Sequence, residues 1–399
     1  MIWTWGRGQG ARWRRALSAV LVAGAASVVA ACSMNIGDLG LGRSKPEPPP
    51  DAAIGSGKVK VALVLPLSAP GNAGLAAVSM RNAAEMALAE FNAPNIQLLA
   101  KDDGGSAQGA QAATQQALEE GAEIILGPLF AQSVGPAGAL ARAKGVPVIA
   151  FSTDANVAAR GVHLLSFLPE SDVDRIVSYA VAQQKRSLAA LVPDNAYGNV
   201  VQASFQQAVS RRGARVIALE RYGQDPQQLQ EAIKRVAQAA NQADAIFVPD
   251  GSDAINIVQG LITEGVNPRR VQVLGTGLWD DPQIFTNGNL QSAFFAAPEP
   301  AGYRNFAGRY RTRFGRDPVR TATLAYDAVS LVAALVKTQG QQRFSEQVLT
   351  NTSGFSGIDG VFRFRTDGTN ERGLAVLRVS PSGGQMVSPA PKSFTGSAT

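Results

Sequence analysis

Few residues in this chain have types and spacings that support covalent or metal chemistry. His163 is the single histidine and Cys32 the single cysteine. No His/Cys cluster can therefore assemble a zinc site, and no internal disulfide can form. His163 stands within the apolar run Val162-His163-Leu164-Leu165, where a lone histidine is read as structural rather than catalytic. Asp102 and Asp103 are adjacent acids at the end of another apolar run, the usual setting for carboxylates that cap or solvate a loop. Gly55-Ser56-Gly57-Lys58 echoes the end of a phosphate-binding loop, but Ala52 stands where the first glycine is required. The segment also precedes a strand instead of following one. Gly71 and Gly74 are too few for a dinucleotide fingerprint. The expectation is a protein with no catalytic residues, no metal and no cofactor.

The N-terminal end carries information of another kind. Arg7, Arg12, Arg14 and Arg15 precede an apolar, small-residue stretch from Ala16 to Ala31, interrupted only by Ser18 and Ser27. A basic segment followed by a short apolar one predicts a secretory signal over 1–31, too short for a stable membrane span. It ends in Val29-Ala30-Ala31-Cys32, which resembles the lipobox of bacterial lipoproteins, in which the cysteine is acylated and becomes the first mature residue. Ser33 stands where lipoproteins kept in the inner membrane often carry Asp, which favours the outer membrane. The whole chain carries a net charge of +6. Removal of the four leader arginines leaves +2, so the basic balance does not indicate a nucleic-acid partner. From Ser33 to Gly57 the chain is rich in Gly, Pro and Ser, with the run Pro46-Glu47-Pro48-Pro49-Pro50. Such a composition buries too little apolar surface to fold and reads as a tether.

Any binding residues must be positioned by the body that follows. Short apolar runs alternate there with helical segments, the pattern of parallel α/β architecture. Val59–Leu65, Ile96–Leu99, Ile124–Leu126 and Val146–Ala150 read as strands separated by helices. After Leu164-Leu165-Ser166-Phe167 the pattern restarts, with strands at Leu188–Val192, Ala214–Tyr222, Ala245–Val248 and Val271–Leu274. Two doubly wound parallel-sheet lobes in one chain create a cleft, with ligands expected beyond the carboxyl ends of the strands.

Several short stretches in this order resemble the leucine/isoleucine/valine-binding family of type I periplasmic solute-binding proteins. They are Leu65-Pro66-Leu67-Ser68, Ala87-Leu88-Ala89-Glu90-Phe91-Asn92, Gly127-Pro128-Leu129, Asn195-Ala196-Tyr197-Gly198 and Leu324-Ala325-Tyr326-Asp327-Ala328-Val329. The resemblance implies three crossings between lobes, placed near Phe167, Phe295 and Ser356. The domain expectation is a signal peptide over 1–31 and a lipidated cysteine with tether over 32–57. An N-terminal lobe then covers 58–166 with 296–355, and a C-terminal lobe covers 167–295 with 356–380. A disordered tail runs over 381–399. Leu63–Ser68 and Leu126–Leu129 also resemble the C-terminal domain of penicillin-binding protein activators, lipoproteins of the outer membrane. Those proteins carry a large helical-repeat domain that is missing here.

Receptors of the first family hold a ligand carboxylate with hydroxyls and backbone N–H groups at helix starts, where unsatisfied donors and partial positive charge concentrate. The resemblance places the first such loop at Phe130-Ala131-Gln132-Ser133 and the second at Phe151-Ser152-Thr153-Asp154. Ala131 and Gln132 stand where serines are usual, and Asp154 stands where a hydroxyl is common, so its charge would repel a carboxylate. Ser152, Thr153 and Asp154 equally suit capping of a turn. Tyr197 matches the family's cleft tyrosine, Trp279 is expected at the cleft mouth, and Asp280 falls near an acid used for a ligand ammonium. Tyr326 and Asp327 are assigned to hinge packing. The function implied is a periplasmic, lipid-anchored receptor that binds a small polar, amino-acid-like solute for an ABC importer and its permease. The alternative is an activator whose partner is a penicillin-binding protein.

Overall fold

The computed structural model describes residues 53–251 and 253–394. The leader, Cys32, the first part of the tether and residues 395–399 lie outside the described residues. The first lobe is built from β1 (Val59–Leu65), α1 (Gly71–Glu90), β2 (Ile96–Asp102), α2 (Ala107–Glu119), β3 (Ile124–Leu126), α3 (Ala131–Ala143), β4 (Val148–Ala150) and β5 (Val162–Leu164). Its sheet is wholly parallel, in the order β2-β1-β3-β4-β5. β1 is an almost unbroken apolar run because both faces of a parallel sheet are covered. Val61, Leu63 and Leu65 face a core shared with α1, while Ala62 and Val64 face a second core shared with α2 and α3. Ser106 caps α2 by accepting from the Gly109 N–H at 3.0 Å, supplying one of the acceptors that a helix start requires.

The second lobe follows with α4 (Pro169–Ala182), β6 (Ser187–Pro193), α5 (Ala196–Arg211), β7 (Arg215–Tyr222), α6 (Pro226–Ala239), β8 (Ala245–Phe247), α7 (Asp253–Thr263), β9 (Gln272–Gly275), α8 (Pro282–Thr286) and β10 (Phe294–Ala297). The chain then returns to the first lobe, where α9 (Pro300–Phe314) and α10 (Ala322–Thr338) pack on α1. After α11 (Glu346–Leu349), a small antiparallel sheet forms from β11 (Phe355–Gly357), β12 (Gly360–Phe364) and β13 (Asn370–Arg372). The hairpin β14 (Ala375–Ser380) and β15 (Gly383–Ser388) completes the second sheet, whose order is β15-β14-β10-β9-β8-β6-β7.

Three details correct the expected boundaries. The third crossing is not near Ser356: Phe362 and Phe364 of β12 belong to the first lobe's core, so the chain leaves that lobe only between β13 and β14. Residues 383–388, expected to be disordered, form β15, paired antiparallel with β14 from Val376 to Ser380. Backbone pairing orders this stretch despite its weak apolar pattern, and the Ser380 hydroxyl closes the turn by donating to the Gly383 carbonyl at 2.7 Å. The end of the expected tether is also held. Ile54 exchanges backbone bonds of 2.9 and 2.8 Å with Leu98, using the groups that an edge strand leaves free.

Candidate functional site

The carboxyl ends of the parallel strands of both sheets open onto one cleft cavity of about 940 Å³. Its walls come from the two lobes, from the first two segments that join them, and from the turn of the last hairpin. α4 begins directly after the first crossing and brings Asp172 to the second-lobe wall beside Tyr197 and Gly277. Asn195 caps α5 by accepting from the Gly198 N–H at 2.8 Å, which fixes the start of the helix that carries Tyr197. Gly198 is required there, since a Cβ would lie 1.7 Å from the Pro193 carbonyl oxygen. The Tyr197 hydroxyl bonds to Thr276 Oγ1 at 3.1 Å, and burial raises its pKa.

The acids of this wall have little counter-charge from their own lobe. Asp172 accepts from the Gly277 N–H at 2.8 Å, but desolvation outweighs that bond and pushes its carboxyl up to about 7. Asp280 borders the same cavity. Its pKa is also raised, chiefly by the surrounding protein, against an opposing pull from Arg320 and Arg304. Leu278 and Phe285 add apolar surface, and the turn of the last hairpin, Pro381 to Gly384, closes one side.

The first-lobe wall carries the opposite charge. Arg304 of α9 and Arg320, just ahead of α10, both border the cavity. Arg320 holds the buried Asp359 with two bonds of 2.9 and 2.6 Å. Its guanidinium carbon lies 4.7 Å from the ring centre of Phe167 and 4.6 Å from that of Tyr303. Burial opposes its charge, but Asp359 more than offsets that and holds its pKa above the ordinary arginine value.

Of the residues expected from sequence, Thr153, Tyr197 and Asp280 border this cavity, and the others do not. Gln132 donates to the Gly105 carbonyl at 2.8 Å, and the buried Ser133 donates to the Ser106 carbonyl at 3.3 Å. Both bonds knit loops of the first lobe together. Ser152 is buried and accepts from the Asp154 N–H at 3.1 Å. Asp154 caps the turn Ala155–Val157 by accepting from the Asn156 N–H at 3.0 Å, so capping takes the place of ligand repulsion. Trp279 is fully buried in the second lobe's core, with Nε1 donating to the Asp250 carbonyl at 2.8 Å. The short 3-10 turn Gly277–Trp279 folds its ring under Gly275, where a Cβ would lie 2.2 Å from the indole. The sequence reading missed Asp172, Arg304 and Arg320. Asp172 and Arg304 had one sequence signal, their place soon after the first and second crossings, while Arg320 had none.

Two doubly wound lobes joined by three crossings around such a cleft define the type I periplasmic binding protein fold. The chain belongs to the periplasmic binding protein family, whose profile matches residues 58–385. A Rhodospirillum rubrum chain named for branched-chain amino acid ABC transport is similar, with a TM-score of 0.74 at 19% identity over 82% of this chain and 99% of that one. A Desulfitobacterium hafniense ABC transporter substrate-binding protein in complex with Leu gives a TM-score of 0.61 at 16% identity, covering 82% of this chain and 99% of that chain. A Rhodopseudomonas palustris BisB5 solute-binding protein in complex with 3,4-dihydroxybenzoic acid gives 0.58 at 18% identity, covering 84% and 98%. Among curated proteins, an uncharacterized Rickettsia prowazekii protein is 23% identical over 144 residues, 36% of this chain and 38% of that protein. The chain thus spans well under half of that relative's length.

Proposed function

We propose that this protein is a non-enzymatic solute receptor of an ABC importer, and that the interlobe cleft takes a small, polar, amino-acid-like solute. One observation carries the reading. Groups of opposite charge from the two lobes, Asp172 and Asp280 on one wall and Arg304 and Arg320 on the other, border a single cavity of about 940 Å³. A solute that contacts both walls favours lobe closure, because it makes contacts in the closed state that the open state lacks. The volume lies within the range of small-molecule sites. The leader and Cys32 support a periplasmic, lipid-anchored location, with the importer's permease as partner.

The test is a thermal-shift screen of the purified protein with amino acids, short peptides and aromatic acids. A solute that prefers the folded state raises the melting temperature at saturation, by an amount that grows with its concentration. A rise confined to one solute class supports the receptor reading. A flat response across the panel, together with capture of a penicillin-binding protein instead of a permease, would favour the activator reading.

A further inference from the structure

We propose that Arg320 anchors a carboxylate of the bound solute through the edge of its guanidinium formed by Nε and Nη2. The proposal rests on the cleft being the solute site and adds what the solute must carry. A guanidinium has five N–H donors in a fixed plane. In Arg320, Nη1 and Nη2 donate to the two oxygens of Asp359 at 2.9 and 2.6 Å, which occupies the end of the fork. The second Nη1 hydrogen is directed to Thr323 Oγ1 at 3.3 Å. That leaves the Nε hydrogen and the second Nη2 hydrogen, which lie parallel on the remaining edge.

This edge has no protein partner among the described residues. Nε is also absent from the enclosed polar atoms that lack a hydrogen bond, so solvent reaches it, and Arg320 borders the cleft cavity. Tyr303 and Phe167 lie within 4.6 and 4.7 Å of the guanidinium carbon, leaving the edges as the available surface. The group is held in place before any solute arrives, so little side-chain entropy remains to be lost on binding. Two parallel donors match the two oxygens of a carboxylate, the geometry that distinguishes arginine from lysine.

Most of the hydroxyl groups expected to bind a carboxylate lie outside the cavity. The Ser152 hydroxyl is buried and bonded to the Asp154 N–H, and Ser133 bonds within its own lobe. Only Thr153 of that set borders the cavity. Arg304 stands beside the cavity on the same wall as a second positive charge, while Asp280 on the opposite wall suits an amine on the same solute. Leu278 and Phe285 suit an apolar or aromatic body.

Calorimetric titration of the full chain with L-leucine, L-phenylalanine and benzoate, each paired with its carboxamide, tests this. At least one acid should bind, with its amide at least tenfold weaker. Arg320→Lys keeps a charge opposite Asp359 but loses the fork; it should melt lower than wild type and, where still folded, bind the same acid at least tenfold more weakly. If Arg320→Lys does not fold, the double variant Arg320→Met/Asp359→Asn removes both charges of the pair, and the same loss is expected. An amide that binds as tightly as its acid overturns the proposal. So does a folded Arg320 variant that binds the acid like wild type, and in either case the cleft reading stands. Absence of binding by every probe overturns the proposal, while the cleft reading is decided separately by the wider thermal-shift panel.

Discussion

Asp327 offers a pH-dependent test of how the small antiparallel sheet packs on α10. Its side chain lies under the small antiparallel sheet, with the residue 2% exposed. Oδ1 accepts from the Ile358 N–H at 2.8 Å, while Oδ2 is enclosed without a partner. Gly357 allows this packing, since a Cβ there would lie 2.3 Å from Oδ2. Desolvation dominates, Arg372 and Arg320 oppose it, Asp359 adds to it, and the carboxyl is pushed up to about 7 from an ordinary 3.8. Below pH 3.8 the group is protonated in folded and unfolded chains alike and costs nothing. As pH rises from 3.8 to about 7 the unfolded chain ionises first, so stability falls by about 1.4 kcal/mol per pH unit. The accumulated loss above pH 7 is roughly 4 kcal/mol as an upper bound. Asp327→Asn mimics the protonated form and keeps the acceptor for Ile358. Wild type and variant should therefore match near pH 4, and the variant should become progressively more stable up to about pH 7. Urea unfolding across that range gives the comparison directly. A difference that does not vary with pH, or a variant less stable than wild type at pH 8, would refute the reasoning.

Three further outcomes follow from other sites. His163 is fully buried on Phe364, and burial lowers its pKa despite Glu346 at 3.6 Å. Wild type should lose stability as pH falls below 6.5, and His163→Phe should flatten that slope in unfolding measured at pH 7.5 and 5.5. Trp279 is wholly enclosed and is the single tryptophan once residues 1–31 are removed, so emission of the protein lacking them should resist quenching by iodide and change little when solute binds, whereas strong quenching would place Trp279 at the surface. Cys32→Ser should abolish fatty-acid labelling of the protein, and equal labelling of both forms would contradict acylation at that residue.

Much of the fold was legible because parallel strands buried on both faces read as continuous apolar runs. Val59–Leu65 and the second-lobe strands at Leu188–Val192 and Ala245–Phe247 carry that signal in their own residues. Gly383–Ser388 does not, because its order comes from pairing with β14 rather than from its side chains. The small sheet of β11, β12 and β13 blurred the third crossing for a related reason. Its phenylalanines declare burial without declaring which lobe they enter. At the site, Tyr197 and Asp280 were legible from their place after strands of a resembling family. Arg320 and Asp172 read as ordinary charged residues of a loop and a helix start, and only tertiary contacts give them a role. Trp279 was misplaced because a strand end points toward the cleft only until the chain turns, and here one 3-10 turn reverses it.

The central claim is that the cavity between the lobes is the binding site. Ser382 stands exposed at the tip of the last hairpin and borders that cavity, so Ser382→Trp places a large ring in the opening without disturbing either core. The decisive measurement is isothermal titration of wild type and Ser382→Trp with the solute that most raises the melting temperature. Wild type should show one site per chain, and the variant should bind at least tenfold more weakly while melting at the same temperature. Equal affinity in both proteins would contradict it and move the solute out of the cleft.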